Sequence, residues 1–438
     1  MNSGNDFEHY LMAGHGRAYM IAKADPEEYR QKIMEICGKD YTFDMQCEGS
    51  RAFLTYDLIS LYEDPEPFIT VAEESFMNPD IDKDWNQICY LSDLLALFDR
   101  RKIIIDKYRY IERQLYSNVP LTDLIPLCES FEYLAIKLIR GRSVKVLGNV
   151  MRDIGRWFLS RPEDITELWP HFLWFDNEAE EEFGKDRYSE AIKATEDSDG
   201  VREYIRVMST SSGFERKGKK NRVTAEVILS WIREDPKIER LEMMCRGLMT
   251  MDASEAEKLA KHFSTETDPD IKASIASVFT SHKYLWPLDV SILMDCTISD
   301  NSRLAEQINA ALSLLKDDRL HDYARDVLEK GFDHSAIIML IRNFRKEDES
   351  LIFQHLEGLP ITYDNEDIWH EIVFAILDSI NTIDFPSSFL YWAYEASLCS
   401  QCRESIVDEL IKRKELPESY KEEMKWDANL DIRALATN

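Results

Sequence analysis

Apolar residues return at three- and four-residue intervals along the whole chain, and this restricts its fold more than any other feature, because that is the repeat of a helix with one buried stripe. Leu91, Leu94, Leu95 and Phe98 stand at i, i+3, i+4 and i+7. Ile271, Ile275, Val278 and Phe279 follow i, i+4, i+7, i+8, and Leu304, Ile308, Leu312 and Leu315 follow i, i+4, i+8, i+11. A broader stripe of Ile368, Ile372, Val373, Ile376, Leu377 and Ile380, with Trp369 beside it, predicts a helix held between two neighbours. With 15 Gly and 14 Pro in 438 residues, a sheet with many tight turns is disfavoured. Asp199-Gly200 is the one dipeptide suited to a two-residue hairpin, and no alternating pattern flanks it. The expected fold class is all-α.

Helix starts carry a recurring device, Asp followed by Pro, at Asp25-Pro26, Asp64-Pro65, Asp235-Pro236 and Asp268-Pro269. Asp accepts from the free amides of a first turn, and Pro at the first helical position gives up no intrahelical bond. In Asp25-Pro26-Glu27-Glu28 the acids also favour the positive helix end. The run Asp268-Pro269-Asp270-Ile271-Lys272-Ala273-Ser274-Ile275-Ala276 resembles the HEAT consensus for entry into a second helix, with looser echoes at 301–316, 318–330 and 333–345. The resemblance spans roughly residues 235 to 360 and implies an α-α superhelix, a solenoid of HEAT- or armadillo-like helical hairpins. A compact helical bundle has the same periodicity.

The stretch 196–222 passes Asp197-Ser198-Asp199-Gly200, a short helix, and then a run from Ser209 to Arg222 rich in Ser, Gly, Lys and Arg, and reads as a polar, basic linker or inserted loop. It would divide an N-terminal helical array, 1–195, from a C-terminal HEAT-like one, 223–438; an insertion within one continuous solenoid fits the same residues.

Against 53 Lys and Arg stand 82 Asp and Glu, a formal charge of −29. Such a field opposes polyanions, so nucleic-acid or anionic-membrane binding requires a segregated basic stripe. Met1 to Tyr10 carries Asp6 and Glu8 and no apolar core, unlike a secretory signal, and the longest apolar runs fall short of a bilayer span. A cytoplasmic protein is expected. The eight cysteines, at 37, 47, 89, 128, 245, 296, 399 and 402, are scattered, as suits reduced buried thiols. Cys399-Ser400-Gln401-Cys402 lacks the second ligand pair of a zinc site and the βαβ setting of a redox motif.

Polar residues gather within apolar context near the N-terminus, in Gly14-His15-Gly16-Arg17 and in Asp44 through Arg51. Two glycines around a histidine demand a turn or a close backbone approach. Glu48 and Arg51 are spaced i, i+3, with Asp44 one turn before. His15, Arg17, Asp44, Glu48 and Arg51 are the expected partner-binding patch, and the same spacing serves equally as ion pairs locking the first helices together. These motifs are similar to those of a bacterial helical-repeat family from which no activity carries over. Diagnostic spacing for metal or nucleophile chemistry is missing, so neither catalytic residue nor cofactor is expected.

Arg216, Lys217, Lys219, Lys220 and Arg222 form the densest basic cluster and are candidate phosphate ligands, or a segment docked on the chain's own acidic surface. Glu178 to Glu182 reads as an exposed acidic face. The function expected is a non-enzymatic scaffold binding a protein or peptide, plausibly a basic one, on a concave surface. The alternative is a HEAT-like nucleic-acid-binding protein resembling the alkylpurine DNA glycosylases, which the net charge disfavours.

Overall fold

The computed structural model describes residues 3–43, 48–117, 120–195, 198–212, 221–237, 241, 249–281, 283–357, 366–380 and 385–437. The fold is all-helical; among the described residues the only paired strands are Asn221–Arg222 and Met249–Thr250, two residues each and parallel. The chain divides into two compact units, one of Met1–Glu215 with Leu398–Asn438, the other of Arg216–Ser397.

The first unit begins with α1 (Ser3–Met12), α2 (Arg17–Ala24), α3 (Pro26–Cys37), α4 (Ala52–Ile59), α5 (Glu66–Met77), α6 (Trp85–Leu97) and α7 (Arg101–Leu115). It continues through α8 (Leu121–Ile139), α9 (Val144–Ser160), the single turn α10 (Ile165–Leu168), α11 (Leu173–Thr195, kinked at Gly184) and α12 (Asp199–Ser212). Packing on the next helix but one recurs, α2 on α4, α3 on α5, α4 on α6, α5 on α7, α6 on α8 and α9 on α11, and α9 also packs on α12. Leu91, Leu94 and Leu95 are buried on α6, the outcome their spacing predicts.

Residues 199–212, which include the short helix expected within 196–222, form α12, which lies directly on α9. Gly155 and Gly200 permit this approach. A Cβ added to Gly155 would stand 1.7 Å from the Gly200 carbonyl oxygen, so only hydrogen fits there.

The second unit comprises α13 (Ala225–Glu234), α14 (Ala253–Thr265), α15 (Pro269–Ser277), α16 (Ser291–Met294), α17 (Ser302–Leu312), α18 (Asp318–Leu328), α19 (His334–Arg342), α20 (Glu349–Glu357), α21 (Glu366–Ser379) and α22 (Ser387–Ala396). Here α13, α15, α17, α19 and α21 pack one upon the next, with α14, α16, α18, α20 and α22 set against them. Ile275, Val278 and Phe279 at the end of α15, and Leu304, Ile308, Leu312 and Leu315 of α17 and its exit, are buried as their spacing predicts.

The Asp-Pro device acts fully at one place. Asp268 Oδ1 accepts from the amides of Asp270 and Ile271, with Pro269 opening α15. Asp25 precedes Pro26 of α3 without a side-chain cap, and Asp64 accepts from Glu66 one residue ahead of α5. Asp235 follows the last residue of α13, its carboxylate takes the Lys237 amide, and residues 238–240, where the expected helix would begin, lie outside the described residues.

The last segment, α23 (Ser400–Arg413), α24 (Glu418–Met424) and α25 (Leu430–Leu435), belongs to the first unit, where α24 packs against α2.

Candidate functional site

Of the expected patch, His15, Glu48 and Arg51 are buried in the first unit and Arg17 is partly buried. Ala13 to Gly16 make the turn between α1 and α2, with Gly14 left-handed at φ +64°. The Gly14 carbonyl accepts from the Ala428 amide at 2.9 Å and from Arg403 at 3.2 Å, so the C-terminal segment closes on this turn. A Cβ on Gly16 would meet the Glu423 carbonyl oxygen at 1.8 Å. Both glycines are needed because another stretch of backbone occupies the space.

Two buried ion pairs flank the turn. Arg51, fully buried, binds Glu48 at 2.9 Å and donates to the carbonyls of Met12, Tyr41 and Leu398. Arg403 is likewise buried and grips Asp427 at 2.9 and 3.1 Å. Arg17 holds both carboxylate oxygens of Glu423, at 2.8 and 3.0 Å, and lies over the Tyr10 ring. His15 Nδ1 accepts from the Arg17 amide at 3.0 Å, and burial, with Arg403 and Arg17 nearby, holds its pKa well below the usual histidine value. Nearly every polar atom of this set is engaged within the protein, and the set forms a latch of ion pairs joining the two ends of the unit, the arrangement of the ion-pair alternative.

Asp44 of the expected patch lies outside the described residues, as do Arg216, Lys217, Lys219 and Lys220 of the basic cluster. Arg222, the remaining member of that cluster, pairs with Asp252. Cys37, Cys89, Cys128, Cys399 and Cys402 are buried thiols outside any disulfide, and Cys296 is a partly buried one. Cys47 and Cys245 lie outside the described residues.

An open concavity sits elsewhere in the same unit, a groove of about 580 Å³ among α6, α7, α8 and α9, with Phe53 of α4 at its edge. Its floor is apolar. Ile104, Tyr108 and Val150 are buried beneath it, Leu97, Leu138 and Val146 are half-buried, and Ile105 is 42% exposed. Its rim is cationic, with Arg101, Arg109, Lys137, Arg140 and Arg142 against the carboxylates of Asp93 and Asp153. Lys137 pairs with Asp93, which also accepts from the Tyr133 hydroxyl at 3.0 Å. Arg109 bonds Asp153 and Glu112 through one terminal amine, at 2.8 and 2.7 Å. Arg140 reaches out to Glu178 at 2.8 Å, so that member of the acidic run is half-buried and paired.

The sequence held a signal for this groove that local motifs conceal. Residues 100–115 and 137–156 together contain twelve Lys and Arg against three Asp and Glu, in a chain whose formal charge is −29. This is the segregated basic stripe that the overall charge hides, and a count of charge along the chain finds it where a search for clusters stops at 216–222.

Elsewhere on α8, Glu132 is a buried carboxyl whose oxygen accepts from the Phe175 amide at 2.8 Å, at the start of α11. Burial pushes its pKa up to about 8, against the pull of the amides it caps.

The architecture and the groove thus define an all-helical protein with an apolar, cation-rimmed concavity. No family model, curated protein or solved structure matches the chain. No helix among the described residues is long and apolar enough to cross a membrane.

Proposed function

We propose that this chain is a protein-interaction module built from stacked helical hairpins, and that the groove among α6 to α9 receives a short apolar segment of a partner. The groove carries the reading: a preformed cavity with Ile105 exposed over an aliphatic floor loses little conformational entropy on filling. The HEAT- or armadillo-like arrangement is supported by the packing of α13, α15, α17, α19 and α21 in succession, each unit of two helices covering the next. We place the protein in the cytosol, where its buried thiols stay reduced.

A display selection of random peptides on the full chain tests the reading, with Ile105→Asn as counter-screen. Ile105 is at the surface, so its replacement leaves the fold intact while removing apolar contact. Enriched peptides that bind the variant about tenfold more weakly, near 1.4 kcal/mol, support the groove. Peptides that bind both proteins equally, or no enrichment at all, overturn it.

A further inference from the structure

The partner's charge is written on the groove. Resting on the docking reading above, we infer that the occupant is an acidic amphipathic helical segment of a protein, its apolar stripe on the aliphatic floor and its carboxylates against the arginine rim. A basic partner, the expectation that follows from the chain's overall charge, does not suit this site.

Three observations lead there. The first is the balance of the lining, five cations to two carboxylates, in a chain otherwise dominated by acid. At physiological salt a charge senses its surroundings over roughly 8 Å, so a docked segment feels the rim more than the distant acidic surface.

The second is how the lining charges are engaged. Asp93 holds Lys137 and the Tyr133 hydroxyl, Asp153 holds Arg109, and both carboxylates are nearly buried, so they present little surface to an incoming lysine. The arginines differ. Arg109 and Arg140 each commit one terminal amine to their carboxylates, and a guanidinium offers five N–H donors. Arg101 is more than half exposed and paired only to exposed Asp99, while Arg142 is exposed with no ion pair among the described residues. Guanidinium groups with donors to spare are suited to bidentate capture of carboxylates.

The third is the floor. Aliphatic side chains from four helices make a surface for leucine-like anchors at i, i+3, i+4 and i+7, the helix-in-groove mode. A single-stranded nucleic acid would instead want exposed aromatic faces, whereas Tyr108 is buried and Phe53 half-buried.

The test uses the full chain and three fluorescent probes read by anisotropy. One is a helical peptide with leucines at that spacing and glutamate elsewhere, the second is the same peptide with lysine for glutamate, and the third is a DNA duplex. The acidic peptide is expected to bind at least tenfold more tightly than its lysine counterpart. Arg101→Glu combined with Arg142→Glu, both at exposed positions, should weaken it about tenfold and strengthen the lysine peptide. Tighter binding of the lysine peptide to the native chain, lost in Ile105→Asn, overturns the charge inference while leaving the groove as a docking site. Failure of the acidic peptide where selected peptides bind in a groove-dependent way has the same meaning. A duplex that displaces the acidic peptide and is itself lost on charge reversal overturns the inference in favour of phosphate recognition. Failure of the selection itself removes the docking reading beneath it.

Discussion

The latch at Gly14 and the groove above Ile105 are both assembled from arginines, carboxylates and tyrosines, yet one is sealed and the other open. At the latch, Arg51 and Arg403 are fully buried and spend their donors on carboxylates and on carbonyls from distant parts of the chain. At the groove, Arg101, Arg109 and Arg140 remain about half exposed, with partners on one side only. Identical residue types therefore have nearly all their donors committed inside the protein at the latch and leave donors exposed at the groove. Burial, not residue identity, separates the two.

Breaking the latch should have the largest effect. Arg51→Met leaves Glu48 as a buried charge without its counter-ion and strips donors from three carbonyls, so the first unit should lose about 3–5 kcal/mol. Urea titration with hydrogen exchange mapped onto the first unit measures this; a change below about 1 kcal/mol would show that the pair contributes little. Gly16→Ala comes next. Its methyl group meets the Glu423 carbonyl, so α24 must shift, at a cost of about 1–3 kcal/mol, with exchange rising in 418–437 before the rest of the unit. Uniform protection in that segment would contradict the closure described here.

Two titrations sharpen the contrast, with opposite signs. Glu132 has its folded pKa raised from 4.5 to about 8, so the folded state keeps a proton that the unfolded chain releases. Stability is then greatest below about pH 4.5 as far as this group is concerned, and is lost as pH rises towards 8, by at most about 1.4 kcal/mol per unit. Glu132→Gln should flatten the decline between pH 6 and 9, and an unchanged slope would refute it. His15 is depressed below 6.5 by burial, so its contribution is present above that pH and is lost as pH falls, when the unfolded chain takes up the proton first. His15→Gln should therefore lose less stability between pH 7 and 5 than the native protein does.

The smallest effect belongs to the groove. Arg101→Glu with Arg142→Glu should change stability by no more than about 0.5 kcal/mol, because exposed ion pairs contribute little. A large loss would mean that the rim holds the fold together and is no separate surface.

Much of the local structure was legible from residues alone. The stripes on α6, α15 and α17 bury as their spacing demands, and Asp268-Pro269 caps as its chemistry demands. Gly14 and Gly16 announced a turn or a close approach, and both are present. What approaches them could not be read, since Arg17 meets Glu423 across a separation of 406 residues. The packing of α12 was hidden for a related reason: a short helix is legible after Gly200, and only folding shows that α9 lies against it.

Periodicity, caps and glycine positions act within a few residues, and so the amino-acid sequence by itself determined the helices, their buried faces and the two regions of basic charge on 100–115 and 137–156. Tertiary structure decided that the chain's last helices return to its first, which turns His15, Arg17 and Arg51 inward, and that those two basic regions meet across one apolar hollow. Pairing between distant segments depends on complementary shape and charge brought together only by folding, and no local pattern carries that information.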